Sequence, residues 1–218
     1  MNTELARKNF TLNILLNPTK QMQELEEKPK ILLPFLLITL TGILTAFVLH
    51  RYSLHIILDF FELEQTKTTS LILLLLYSII ICSFLITEWM IFSVITFFFT
   101  IIFSFKVVSL KFVFSIIGFS WIPIIIRTLS YLTLIVMNGR IFEPQGLTLL
   151  FSNDIPNIIK IVLQNLDVFV LWQLLIVYIG VNVIVKKKLL SFLIVLSTFT
   201  ITILIKVFPY LLATTLLD

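Results

Sequence analysis

Charged residues and glycines are scarce in this chain of 218 residues. Only 13% of the residues are charged and only 5 are glycine, whereas 59% are apolar and 21 are phenylalanine. A soluble domain usually has about 25% charged residues, and a chain of this length could not bury so much hydrocarbon in its own core. The composition also excludes collagen-like, glycine-rich and disordered chains. The sequence therefore predicts an integral membrane protein.

Groups that bind metals or carry out catalysis are also few. The one cysteine, Cys82, cannot form an internal disulfide and lies in an apolar run, so we interpret it as a packing residue. His50 and His55 are five residues apart, which puts them on different faces of a helix. The sequence has no phosphate-binding loop and no metalloprotease or serine hydrolase signature. We therefore expect no catalytic residue, no cofactor and no metal. The net charge of +4 is expected to lie at the cytoplasmic face of the membrane, and it does not indicate nucleic-acid binding.

Five apolar runs reach the length of about 20 residues that a membrane-spanning helix needs. They cover residues 31–49, 69–105, 112–136, 166–185 and 189–212. The second run is too long for one perpendicular crossing and could be one helix or two. Near Glu88, where it would fold back, no glycine or proline is present to make a turn.

Positive charges decide between these alternatives. If the second run is one helix and the N-terminus is inside, ten Lys and Arg residues lie inside and four lie outside. The inside cations are Arg7, Lys8, Lys20, Lys28, Lys30, Lys106, Lys111, Lys186, Lys187 and Lys188, and the outside cations are Arg51, Lys67, Arg140 and Lys160. A fold-back near Glu88 would give seven on each side. The positive-inside rule favours one helix.

These patterns predict an all-α membrane protein of the cell membrane, a five-transmembrane-helix bundle with short amphipathic interfacial helices. Residues 1–30 are predicted to be a cytoplasmic tail, residues 31–212 the membrane domain, and residues 213–218 an extracytoplasmic C-terminus. In the tail, Asn17 is the expected N-cap of a short helix from Pro18 to Glu27, with Met22 and Leu25 on one side.

The two outside loops carry further helix signals. Leu54, Ile57, Leu58 and Phe61 form an amphipathic stripe and predict a helix lying on the outer leaflet. The second outside loop contains a turn signal at residues 143–146. It continues with a helix-start signal at residues 153–156, which puts Ile158, Ile159, Val162 and Leu163 on the apolar face of a short surface helix.

Charged residues inside the spans are costly unless they are paired or hydrated. Glu88 lies in the second span and Arg127 in the third. Counted from the turn near Ser109 at about 1.5 Å per residue, the two lie within roughly one turn of depth. We therefore predict a buried Glu88–Arg127 ion pair, which is either a structural tie or part of a proton or ion relay. Lys206, near the outer end of the fifth span, is expected to extend its side chain to the headgroups.

Five other residues within the spans suit helix packing or the helix dipole. Gly118 and Pro123 in the third span would allow a close helix approach and a kink, either as a static feature or as a hinge. Asp167 suits the positive end of the dipole of the fourth helix. Trp172 and Gln173 lie in the fourth span, where a glutamine next to a tryptophan more often holds helices together than binds a ligand.

Three stretches of the chain resemble a known family. They are Asn17–Pro29 running into Pro34, Ser104 to Pro123, and Leu166 to Trp172 with Gly180 eight residues later. Together they resemble the bacterial branch of the Yip (Ypt-interacting protein) family of five-span membrane proteins. The resemblance implies a non-enzymatic membrane adaptor without catalytic residues. Eukaryotic relatives act beside Rab GTPases, whereas bacterial relatives appear beside ABC exporters and in resistance to antimicrobial peptides or toxins. The short tail of this chain favours the bacterial role.

The sequence thus supports two main hypotheses of function. The first is an adaptor that contacts membrane lipids and assembles with ABC transporter components or with itself. The second is a membrane-embedded transport or substrate-binding subunit for a small solute, which Glu88 and Arg127 suggest. An intramembrane hydrolase is the least favoured, since no histidine lies deep in a span.

Overall fold

The computed structural model describes residues 17–62, 64, 66–105, 107–142, 145–151 and 156–217. These residues form helices, and none of them is in a strand. The helices are α1 (Pro18–Glu27), α2 (Leu32–Phe60), α3 (Lys67–Ser104), α4 (Leu110–Ser120), α5 (Ile122–Asn138), a 3₁₀ helix (Gly146–Leu150), α6 (Asn157–Gln164), α7 (Val168–Val185) and α8 (Lys188–Leu217).

Five helical segments in this part of the chain are long and apolar enough to cross a membrane. They are Leu32–Phe60, Lys67–Ser104, Leu110–Asn138, Val168–Val185 and Lys188–Pro209. The third segment consists of α4 and α5, and each of the others lies within a single helix. The predicted fold class, an all-α protein with five apolar helical segments, is confirmed.

The second apolar run forms one continuous helix, α3, of 38 residues. The hydroxyl of Thr66 caps its start by accepting a hydrogen bond from the backbone N–H of Thr69. It ends at Phe105, whose φ of 52° is left-handed. At 1.5 Å per residue the helix is about 57 Å long, nearly twice the thickness of the hydrocarbon core.

The first apolar helix differs from the prediction. α2 continues without a break to Phe60, so the stripe of Leu54, Ile57 and Leu58 is the last part of the same helix. The prediction of a separate helix lying on the outer leaflet is wrong. No glycine or proline lies between His50 and Leu54 to end the helix there, and a continuous helix keeps its backbone hydrogen bonds.

The third apolar segment is interrupted at Trp121, between α4 and α5. Pro123, the second residue of α5, has no backbone N–H and cannot donate a helical hydrogen bond. Just before the proline, the backbone N–H of Trp121 donates to the carbonyl of Gly118, three residues earlier, at 3.3 Å. This bond is of the tighter 3₁₀ type. The predicted kink therefore lies next to Pro123.

The short helix α1 has the bounds that the sequence indicates, and it packs against α4 and α7. Met22 and Leu25 are completely buried in the same core as Ile116 and Val177. Its apolar side is therefore covered by protein, and α1 is part of the helical core.

In the segment between α5 and α7, α6 lies beside the 3₁₀ helix. Gly146, with a φ of +48°, lets the loop approach the end of α6, and the N–H of Leu147 donates to the carbonyl of Leu166 at 2.8 Å. On α6, Ile159 is exposed, whereas Val162 and Leu163 are half-buried. The predicted helix start at residues 153–155, the first half of the predicted turn at residues 143–144 and the side chain of Ile158 lie outside the described residues.

Candidate functional site

Two ion pairs connect apolar helices in the part of the chain that the structure describes. Nη1 of Arg127 on α5 is 2.9 Å from Oδ2 of Asp167, which directly precedes α7. Nζ of Lys206 on α8 is 2.5 Å from Oε1 of Glu88 on α3. Each pair connects two helices that are distant in sequence. Opposite charges at this distance offset much of the cost of placing either charge among apolar residues.

The predicted pair between Glu88 and Arg127 is therefore wrong, because each has another partner. The depth estimate assumed that the two helices run straight back from the turn at Ser109. Instead, the indole N–H of Trp89, next to Glu88, donates to the carbonyl of Phe114 at 3.3 Å. Arg127 lies beyond the break at Trp121 that separates α4 from α5, so a count of residues along one straight helix does not give its position relative to Glu88.

Lys206 also differs from its prediction. The sequence suggests a side chain that extends to the headgroups, but its ammonium group contacts the carboxylate of Glu88. An ion pair inside the bundle satisfies the ammonium without that extension.

The carboxylate of Asp167 makes two kinds of contact, a helix cap and an ion pair. Its Oδ1 accepts hydrogen bonds from the backbone N–H groups of Phe169 and Val170, both at 2.9 Å, and so caps the start of α7. Its Oδ2 accepts from Arg127. A carboxylate at this position also suits the positive end of the helix dipole, as the sequence indicates. Both oxygens of Asp167 are thus engaged.

A cavity of about 320 Å³ lies between α2, α3, α5, α7 and α8. Three charged side chains line it, those of Glu88, Arg127 and Lys206. The uncharged polar residues in its wall are Thr41, Thr128, Asn165, Gln173 and Thr202. Its volume is at the lower end of the range for small-molecule sites. The cavity therefore brings two cations and one anion from three different helices to one space whose wall is otherwise mainly apolar.

Trp121, at the break between α4 and α5, also lines this cavity. The residue is only 4% exposed, and its indole Nε1 has no hydrogen-bond partner. A buried N–H without an acceptor costs about 1–3 kcal/mol. Trp121 is thus a buried donor in the wall of a cavity that also holds charged groups.

The remaining predicted residues have packing roles. A Cβ atom on Gly118 would overlap Cβ of Pro34 and would come within 3.2 Å of Nε1 of Trp89, so glycine allows α4 to contact α2 and α3 closely. Pro123 is buried at the helix break. Trp172 is half-buried against the core, and it is its neighbour Gln173 that lines the cavity.

His50 and Cys82 do not line the cavity. His50 Nε2 is 3.4 Å from the hydroxyl of Ser70, and Cys82 packs against Gly42 in the contact between α2 and α3. Within the described ranges, no group of three or more His, Cys, Asp or Glu side chains is placed to hold a metal ion.

Comparisons of the chain with protein-family models, with curated proteins and with solved structures found no match. The candidate site lies where charged side chains of three helices meet. Its central feature is the cavity with Glu88, Arg127, Lys206 and Trp121 in its wall.

Sequence reasoning missed two features of this site. It identified Asp167 and Arg127 but not their contact, because Asp167 was assigned only to the helix dipole. It also assigned no role to Trp121. The available signal was Pro123 two residues later, which disrupts the helix and places the preceding side chain at a break.

Proposed function

We propose that the chain is a non-enzymatic membrane subunit that assembles with other membrane proteins, as its resemblance to the bacterial Yip proteins implies. Its partner would be an ABC-type exporter involved in peptide or toxin export or resistance. One observation carries the proposal. The three stretches that resemble the family are distant in sequence, yet their helices α1, α4 and α7 all contact one another.

The contacts among these helices are tight. Met22 and Leu25 of α1 are completely buried. Gly180 of α7 lies against Ile116 of α4, so close that an added Cβ would be 2.5 Å from Cγ2 of Ile116. A shared core made of the three resembling stretches is what a common five-span architecture would require, and this supports the family role.

The longest helix offers a surface for assembly. The most apolar 18-residue window of α3 has no buried residue, although α3 contacts α2, α4 and α8. Leu75 and Ile79 are 55% and 63% exposed. In a bilayer such a surface contacts lipid or the helices of another protein.

The proposal includes an orientation in the cell membrane, with the N-terminus in the cytoplasm and the C-terminus outside. Its support is the distribution of positive charge, ten residues inside against four outside, together with the single helix α3.

The test is purification of the full chain from its native membrane in a mild detergent. We expect subunits of an ABC-type exporter to copurify. The double substitution Leu75→Ala with Ile79→Ala on α3 should reduce their recovery. The matched substitution Leu40→Ala with Phe47→Ala, at positions of α2 with 55% and 57% exposure, should not. Recovery of the chain alone from every membrane preparation would contradict the proposal.

A second function, a membrane-embedded transport or substrate-binding subunit, is favoured by one observation, the cavity with three charged side chains in its wall. A bundle that needed only structural ion pairs would gain by packing them without free space, since empty volume lowers stability. A cavity that holds Glu88, Arg127 and Lys206 is instead suited to a small polar solute. A solute that raises the thermal stability of the purified chain would support this function.

A further inference from the structure

We infer that the end of the bundle where α7 turns into α8 binds the headgroups of anionic phospholipids. The side chains that would contact the phosphate are those of Lys111, Lys186, Lys187 and Lys188, which are all exposed and which we call the lysine patch. This inference goes beyond both proposed functions and depends on neither of them.

The connection between α7 and α8 places three of these lysines next to one another. α7 ends at Val185 and α8 begins at Lys188, so only two residues connect the helices. Lys186 has a left-handed φ of 57°, which ends α7, and its N–H donates to the carbonyl of Asn182 at 2.9 Å. Ser191 of α8 is completely buried, and its hydroxyl donates to Oδ1 of Asn182 at 3.3 Å. Contacts from both helices thus fix the turn that carries the three lysines.

Lys111, in the first turn of α4, lies at the same end of the bundle. Gly180 of α7 packs against Ile116 of α4, so that an added Cβ would be 2.5 Å from Cγ2 of Ile116. Lys111 precedes this contact by five residues and Lys186 follows it by six, which is roughly 8–9 Å along each helix. α4 and α7 belong to consecutive apolar segments, and consecutive spans cross a membrane in opposite directions. Both lysines therefore lie on the same side of the contact.

The surroundings leave the lysine patch positively charged. The sequence has no acidic residue at positions 104–117 or 179–193, and neither of the two ion pairs among the described residues includes a lysine of the patch. The neighbouring helix α1 and its C-cap carry two exposed lysines and three exposed glutamates, a formal charge of −1. They are Lys20, Lys28, Glu24, Glu26 and Glu27. With α1 included, this end of the bundle thus keeps a formal excess of three positive charges.

The surface next to the lysine patch suits acyl chains. Leu189 and Phe192, which follow the lysines on α8, are 74% and 54% exposed, and Leu110 beside Lys111 is also exposed. A phospholipid has the same arrangement, with a charged phosphate directly above hydrocarbon. Clusters of lysine at the ends of membrane spans attract anionic lipids. Lysines bordered by exposed hydrocarbon therefore favour a lipid headgroup over a free anion.

The test measures which lipids remain bound to the full chain. The protein is reconstituted in vesicles made of equal parts of phosphatidylglycerol and phosphatidylcholine with identical acyl chains. It is then extracted in a mild nonionic detergent, and the retained lipids are quantified by mass spectrometry. We expect phosphatidylglycerol to be retained at least about fivefold over phosphatidylcholine, since each lysine near an anionic membrane surface contributes about that factor. Extraction at high salt should lower this ratio.

Two triple variants test the lysines of the turn. Lys186→Gln, Lys187→Gln and Lys188→Gln together should lower the ratio at least about fivefold, to near one. Arginine at the same three positions keeps the charge and should keep the ratio. Lys111→Gln alone, on a different helix, should also lower it. Thermal unfolding of each purified variant checks that it is folded.

The matched control removes the same charge from exposed residues outside the lysine patch. It combines Arg51→Gln on α2, Lys67→Gln on α3 and Lys160→Gln on α6. Because these residues lie on other helices, the ratio should not change. An equal fall in this control and in the glutamine variant of the turn would mean that net charge alone retains the lipid, and would overturn the inference.

Inorganic phosphate separates a lipid headgroup from a free anion. Added in excess during extraction at constant ionic strength, it should leave phosphatidylglycerol bound, because it lacks acyl chains to replace those along α8. Displacement of the lipid by phosphate would show a site for free anions and contradict the assignment.

Equal retention of the two lipids by the unaltered chain would also overturn the inference. Neither this result nor its opposite changes the copurification of an exporter or the response to a solute. The failure of this inference is therefore distinguishable from the failure of either proposed function.

Discussion

At the scale of single residues, each intramembrane charge is placed where a specific partner offsets its cost. Asp167 satisfies two backbone N–H groups of α7 and the guanidinium of Arg127 at once. Glu88 and Lys206 pair through their charged groups, and their helices α3 and α8 contact each other. Substitutions in the two pairs are therefore expected to change the free energy of unfolding by different amounts.

The two tasks of Asp167 can be separated by a pair of variants. Asp167→Asn keeps an oxygen that can cap α7 but removes the charge that faces Arg127. Because the side chain of Arg127 is 38% exposed, we expect a loss of only about 1–2 kcal/mol in the free energy of unfolding. Asp167→Ala removes the cap as well and should cost about 1 kcal/mol more. Denaturant titration in mixed micelles measures both losses, and equal losses would mean that the cap contributes nothing.

The pairing of Glu88 can be tested with double-mutant cycles. Glu88→Gln and Lys206→Gln, combined, should cost less than the sum of the single substitutions, with a coupling of about 0.5–1 kcal/mol for side chains that are 24% and 34% exposed. Glu88→Gln and Arg127→Gln should be additive, since they have separate partners. The same unfolding measurement serves both cycles. A larger coupling between Glu88 and Arg127 would support the ion pair that the sequence suggests.

At the scale of helices, small residues and proline determine where elements approach and where they break. Gly118 and Gly180 let α4 contact α2 and α7, and Pro123 separates α4 from α5. Where no such residue occurs, as between His50 and Leu54, the helix continues. The break beside Pro123 also shapes the cavity, because Trp121, which lies at this break, forms part of the cavity wall.

The two glycine contacts differ in how far the neighbour can move. In Gly118→Ala the new methyl group meets the rigid ring of Pro34, so we expect a loss of about 1–3 kcal/mol. In Gly180→Ala it meets the flexible side chain of Ile116, and the better helix propensity of alanine offsets up to about 1 kcal/mol. Thermal unfolding of the two variants should therefore show the larger loss for Gly118→Ala. The reverse order would mean that Pro34 does not hold α2 against α4.

At the scale of the whole molecule, the sequence predicts what depends on local composition and misses what depends on helix tilt. The five apolar segments, the bounds of α1 and the break at Pro123 all follow from hydropathy and from backbone chemistry. The partners of Glu88 and Arg127 do not, because a count of residues from a turn ignores the path of a 38-residue helix. The cavity could not be predicted either, since its wall combines residues from five helices.

The orientation of the whole molecule yields the broadest prediction. Single cysteines are introduced at Glu64, Ser109, Gln145 and Lys187 in a Cys82→Ala background and labelled with an impermeant maleimide. Positive charge is concentrated on the segments assigned to the cytoplasm, so positions 64 and 145 should react on intact cells. Positions 109 and 187 should react only after permeabilisation. Because α3 connects Glu64 to Ser109 as one helix, reaction of both positions from the same side would contradict a single crossing. Complete reversal of the pattern would keep the five crossings but place the N-terminus outside.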